Sequence, residues 1–163
     1  MTKNNGGLVL KNIKKGTCPP LLLAPMEGVG SVAYRKAIAT IGGFDIAYTP
    51  FFRIPINAHV KSLVKQYDRN EISPYTLVPQ LMGADEKLLS QAVEELNKKS
   101  APQIDLNCGC PSNVVVRRKA GANLLKTPSI IYNIVKHMVA SSDVPISVKM
   151  RSGFSDTSQY LDI

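Results

Sequence analysis

The 163-residue sequence has no long apolar run. Its opening stretch, "MTKNNGGLVLKNIKKGTCPP", never reaches the length that a signal peptide or a membrane span needs, so a cytoplasmic protein with no membrane partner is expected. Cysteine is scarce as well. Three thiols, an odd number, argue against a disulfide framework and suit a reducing compartment. Cys108 and Cys110 sit closer together than the cysteines of a zinc knuckle, and only His59 and His137 could complete a ligand set, so no metal site is expected. Acid is in short supply against base: 12 Asp and Glu stand against 20 Lys and Arg, a formal charge of +8 with a pI near 9.5. That excess suits a polyanion such as nucleic acid or an anionic surface, yet it equally suits a basic protein with neither partner. The third glycine of a dinucleotide fingerprint is missing too. "GVGSVA" places Ala33 after Gly28 and Gly30, which weakens a Rossmann reading.

What is present reads as one ordinary globular domain, with 44% hydrophobic and 20% charged residues. "LLLAP" (21–25) is a short apolar run closed by proline and predicts a fully buried strand. "SVAYRKAIATIGG" predicts a helix with Ser31 as N-cap and Gly42 as its stop. "FDIAYT" (44–49) is the next strand, and the basic, poorly periodic segment from Pro50 to Pro74 predicts a long surface connection. "TLVPQLMG" (76–83) is a strand. Asp85 can cap a helix running through Asn97, with Leu88, Leu89, Ala92, Val93 and Leu96 on one face. "QIDLN" is a strand, "PSIIYNIVKHMVAS" a helix with Pro128 in its first turn, "PISVKM" a strand, and "DTSQYLDI" the start of another helix.

Strands alternating with helices imply a parallel sheet covered by helices. About five parallel strands are expected in an α/β fold, either a smaller open sheet or an incomplete (β/α)8 TIM barrel. In barrels the functional groups lie at the C-terminal ends of the strands. Pro25-Met26-Glu27, Gln80, Asn107 to Cys110 and Lys149-Met150-Arg151 all stand where a strand gives way to a loop.

The motifs "APMEGV", "VPQLMG", "DLNCGCPS", "GANLL" and "VPISVKMRSGF" occur here in order. In this arrangement the chain resembles the tRNA-dihydrouridine synthases, over Leu21 to about Phe154. The resemblance implies an N-terminal extension (1–20), then the N-terminal portion (21–163) of an FMN-binding catalytic barrel. That portion would stop before the later strands, which carry the FMN phosphate site, and before a helical tRNA-binding domain. It also implies the activity, reduction of tRNA D-loop uridine to 5,6-dihydrouridine, with FMN as cofactor and NADPH or NADH as reductant. tRNA would be the partner, and a second chain could complete the barrel.

By the same resemblance Cys110, the cysteine before proline, is the general acid that gives a proton to C5 while flavin gives a hydride to C6. A thiol of ordinary pKa, about 8.5, is mostly protonated at neutral pH and suits that work. Lys149 matches the family's flavin-binding lysine, and a cation there offsets the charge of the reduced ring. Gln80 matches a residue that hydrogen-bonds the flavin, and Pro25 and Met26 a backbone shelf beneath it. Asn107 and Arg151 are expected at the substrate. Cys108 is expected to be a packing residue. Arg53, Lys61, Lys65, Arg69, Arg117, Arg118 and Lys119 are candidate tRNA-backbone contacts. One departure is Pro50, which stands where many members carry an acidic residue. Two other readings stay open: a truncated, catalytically inactive remnant with at most weak nucleic-acid binding, and an FMN barrel reducing a free pyrimidine. The basic balance and the "GANLL" and "VKMRSGF" context favour tRNA over a free base.

Overall fold

A computed structural model describes residues 19–158. Local sequence explains each helix. In α1 (Val32–Ile41) the Ser31 hydroxyl accepts from the Tyr34 N–H at 3.2 Å, and Gly42, at φ 78°, ends the helix in a conformation that costs glycine little. A single turn, α2 (Val60–Leu63), follows. In α3 (Glu86–Lys98) the Asp85 carboxylate accepts from the Leu88 N–H at 2.9 Å, and Leu89, Ala92, Val93 and Leu96 form the buried stripe. After the short α4 (Asn113–Arg117) and a 3₁₀ turn (Gly121–Lys126) comes α5 (Pro128–Ala140), which starts on Pro128 and buries Ile131, Ile134 and Met138. The helix start expected at "DTSQYLDI" lies mostly outside the described residues.

The strands are β1 (Leu22–Leu23), β2 (Ile46–Tyr48), β3 (Phe52–Arg53), β4 (Thr76–Val78), β5 (Gln80–Met82), β6 (Ile104–Cys108) and β7 (Ile146–Met150). Every pairing is parallel, in the orders β1-β2-β4 and β3-β5-β6-β7. β2 with β3, and β4 with β5, are single strands interrupted at Thr49–Phe51 and at Pro79, so the seven segments make the five strands expected. Proline has no N–H for the ladder. The Thr49 hydroxyl bridges the break by accepting from the Gln80 N–H at 3.1 Å, while the Pro79 carbonyl accepts from the Asp105 N–H at 3.0 Å. Consecutive strands lie side by side in chain order, as in a partial TIM barrel.

Alternation sorts the two faces. Ala47, Leu77, Leu81, Ile104, Leu106 and Cys108 join α3 and α5 in the hydrophobic core, with Ile146 and Val148 packed against it. The opposite face of β5, β6 and β7 takes Gln80, Asp105, Asn107, Ser147 and Lys149.

Two expectations need correction. The "LLLAP" strand is not fully buried, since Leu21 and Leu22 remain 61% and 40% exposed. Among the described residues β1 pairs with β2 alone. The segment from Pro50 to Pro74 is more than a surface connection: it buries Ile54, Val60, Val64, Tyr67 and Ile72, and the Tyr67 hydroxyl donates to the Leu77 carbonyl at 2.9 Å. Its apolar residues follow no single period because β3, α2 and turns share them.

Candidate active site

Because all strands run parallel, the residues that follow them gather on one side of the sheet. The register sets them in rows. Gln80, Asp105 and Ser147 pair across β5, β6 and β7, and Asn107 pairs with Lys149 one row further toward the C-terminal ends.

The first row is a hydrogen-bonded chain. Ser147 Oγ donates to Asp105 Oδ1 at 2.6 Å, Gln80 Nε2 donates to Asp105 Oδ2 at 2.7 Å, and Gln103 Nε2 donates to Ser147 Oγ at 2.8 Å. The chain climbs to the second row where Asn107 Nδ2 donates to Gln80 Oε1 at 2.9 Å. Asn107 Oδ1 then accepts from the backbone N–H groups of Gly109 (3.1 Å) and Cys110 (2.9 Å). The loop that carries Cys110 thus hangs on one amide oxygen.

Two further contacts hold that loop. Arg151 Nε donates to the Gly109 carbonyl at 2.7 Å, and the Ala122 N–H donates to the Cys110 carbonyl at 3.0 Å. Gly121 beneath it has φ +58°, and a Cβ there would come within 2.8 Å of the Cys110 carbonyl oxygen, so glycine is required. At Gly109 a Cβ would meet nothing nearer than 3.7 Å, so no contact within the chain demands glycine.

Burial separates the two thiols. Cys110 is half-buried against Met82, Val115 and Ala120. Cys108 is fully buried, and burial together with the Asp105 charge pushes its thiol up to about 12, which suits the packing role expected of it. Burial also raises Asp105 to about 6, against the lowering effect of the Ser147 and Gln80 hydrogen bonds and the Lys149 charge. Tyr48, on β2, is raised by burial and then by Asp105.

The other expected residues divide. Lys149 is exposed, with no hydrogen bond or ion pair among the described residues. Pro25 and Met26 follow β1 half-buried, and the Met26 carbonyl closes a turn by accepting from the Gly30 N–H at 2.8 Å. Gln80 has no exposed surface, and both ends of its amide are engaged within the chain. Asn107 is 7% exposed. Asp105 and Ser147 were missed in the sequence. The signal was the polar alternation of Asp105 and Asn107 among Ile104, Leu106 and Cys108, in a strand that is buried throughout.

Four of the seven basic candidates come together. Arg53, Arg117, Arg118 and Lys119 line a cleft of about 690 Å³ whose apolar floor includes Ile54, Met82 and Val115. Arg53 also pairs with Glu27 at 3.0 Å. Lys65 and Arg69 line a separate, shallower depression beside Lys99, and Lys61 lies in the last turn of α2. Among the described residues no group of three or more His, Cys, Asp or Glu is placed to hold a metal. None of their helices is long and apolar enough to cross a membrane.

The sequence model of the dihydrouridine synthase (Dus) family matches residues 22–163. The chain is 33% identical over 150 residues to the tRNA-dihydrouridine(16) synthase of Neisseria meningitidis serogroup B, covering 87% of this chain and 45% of that protein. The protein of the same name from Ralstonia nicotianae is 35% identical over 146 residues (85% and 45%), and that from Pseudomonas syringae pv. tomato 33% over 150 residues (87% and 47%). The chain spans about half the length of these relatives. From β1 through β7, in motif order and in parallel topology, the chain belongs to the dihydrouridine synthase family.

Proposed function

We propose that this chain supplies the catalytic face of an enzyme that reduces uridine to 5,6-dihydrouridine in tRNA, with Cys110 as the proton donor to C5. The observation that carries the reading is the placement of a half-buried thiol on a loop pinned by Asn107 and Arg151. Lys149 stands beside Asn107 in the register of β6 and β7, and the basic cleft opens at the end of β5, where Met82 lines it.

Saturating the C5–C6 bond needs a hydride at one carbon and a proton at the other. FMN, when bound and reduced by NADPH or NADH, supplies the hydride that no side chain can. The residues present fit a flavin in part. Lys149 offers a free cation for the negative end of a reduced ring, and Pro25 and Met26 offer a shelf beside β1. Gln80 offers no open surface as placed, so its part is to hold Asn107. Asn107 keeps one amide hydrogen for the uracil edge, and Arg151 reaches the substrate side from β7's end. Cys110 gives its proton from the face opposite the hydride and regains one from solvent.

The cations Arg53, Arg117, Arg118 and Lys119, which line the cleft, meet the tRNA backbone in this reading. The names of the relatives specify position 16, the position to assay first. Among the described residues β7 pairs with β6 alone, and further strands, from the same or a second polypeptide, complete the barrel.

The test is dihydrouridine, measured by mass spectrometry, on unmodified tRNA transcript with FMN and NADPH. The wild type should form it. Cys110→Ala should lose about 10²–10⁴-fold in rate while FMN stays bound and NADPH still reduces it, and Cys108→Ala should keep turning over. Lys149→Ala should weaken FMN and lower its reduction potential. No product from the wild type, or an unchanged rate in Cys110→Ala, overturns the reading.

A further inference from the structure

A carboxylate is the one member of the relay that can only accept. That constraint propagates. Asp105 Oδ2 takes the Gln80 N–H, which turns Gln80 Oε1 toward Asn107. Asn107 must then present its N–H to Gln80, which turns its own oxygen toward the Gly109 and Cys110 N–H groups. Reversing Gln80 would set N–H against N–H in a buried site, and reversing Asn107 would leave both loop donors without an acceptor.

We propose that the Asp105 carboxylate sets the polarity of both amides and so holds the Cys110 loop in place, making Asp105 a positioning residue for that loop. Its catalytic meaning rests on the reading of Cys110 as the proton donor; the relay does not. Protonating Asp105 turns one acceptor oxygen into a donor and releases the constraint. The relay should therefore loosen as pH falls through the Asp105 titration, near 6. The charged and titratable groups facing Asp105 are Lys149 on β7, Tyr48 on β2 and Cys108 on its own strand. Tyr48 is raised above its ordinary 10 and Cys108 stands at about 12, so neither titrates near pH 6.

The experiment needs neither FMN nor tRNA. Side-chain amide resonances of Asn107 and Gln80, and the backbone N–H resonances of Gly109 and Cys110, are followed by NMR from pH 4.5 to 8. In parallel, iodoacetamide alkylation of Cys110 is timed at pH 7.5 in a Cys18→Ser background, Cys108 being buried. In the wild type all four sets of resonances should titrate together with one midpoint near 6. In Asp105→Asn they should be flat, and the Cys110 alkylation rate should change several-fold. Ser147→Ala keeps the carboxylate but removes a hydrogen bond that lowers its pKa, so it should move the shared midpoint upward, and it serves if Asp105→Asn does not fold. Resonances that ignore pH in the wild type, that titrate alike in Asp105→Asn, or that keep their midpoint in Ser147→Ala would overturn the proposal. Such a failure would leave the tRNA assay of Cys110→Ala standing, and a failed tRNA assay would leave this one standing.

Discussion

Charge is used in opposite ways in the buried interior and on the rim of the basic cleft. Inside, Asp105 is 2% exposed, and Arg35 with Glu71 forms an ion pair whose side chains are each 7% exposed. Asp105 accepts from Ser147 and Gln80, and Arg35 donates to both Glu71 oxygens, at 2.7 and 2.8 Å, and also to the Gly30 carbonyl. On the rim, Arg117, Arg118 and Lys119 are exposed around an open cleft. A buried charge left alone is costly, and each buried charge here has its partner. An exposed charge costs little to leave unpaired, and it stays available to a ligand. The contrast separates residues that hold the site from residues that can bind.

The largest effect should come from breaking the buried pair. Arg35→Ala strands Glu71 without its cation and frees the turn after β1, and should cost about 3–5 kcal/mol in urea unfolding. A loss below 1 kcal/mol would mean that water reaches Glu71 and that the pair is less dry than its exposure suggests.

The next effect is linked to pH. Asp105 titrates at about 6 in the folded chain, above its ordinary 3.8. The folded state therefore holds the proton more tightly than the unfolded state. The stability this contributes is complete below about pH 4 and is lost as pH rises through 6. Relative to Asp105→Asn, the wild type should lose up to about 3 kcal/mol between pH 4 and pH 7. Parallel stability curves for the two proteins would place Asp105 in contact with solvent.

Asn107→Ala should cost about 1–3 kcal/mol, because two backbone N–H groups lose their acceptor. It should also raise hydrogen exchange at Gly109 and Cys110, but not at Leu106 within the ladder.

The smallest effect on stability belongs to the rim. Arg117→Ala, Arg118→Ala and Lys119→Ala combined should leave unfolding within about 0.5 kcal/mol of wild type. The same triple change should weaken RNA binding and flatten its salt dependence, each lost phosphate contact lowering the slope by about 0.7–0.9. A stable triple variant with an unchanged slope would remove the cleft from the RNA-binding surface.

Much of the fold could be read locally. Ser31, Gly42, Asp85 and Pro128 mark helix ends through contacts within a few residues, and the structure keeps all four roles. The five strands were legible, but the interruption at Pro79 and its repair by Thr49 were not, because the repairing hydroxyl comes from 31 positions away. The segment after Pro50 hid its buried residues because no single period runs through it. Within the site, the thiols sorted themselves by motif: Cys110 half-exposed, Cys108 buried. The sequence offers Gln80 by resemblance, and only the fold shows that its amide also bonds Asp105 and Asn107.

The linear chain carries the order of parallel strands and helices, the helix caps, the gathering of Cys110, Lys149 and Arg151 at strand ends, and the membership in a family. These follow from near neighbours, from periodicity and from ordered motifs, all of which a linear chain displays. It took the packed sheet to set Gln80, Asp105 and Ser147 in one row, and to carry the hydrogen bonds from that row through Asn107 to the N–H of Cys110. Strand register is a relation among residues from Gln80 to Ser147. A slip of one position would turn every one of those side chains to the other face.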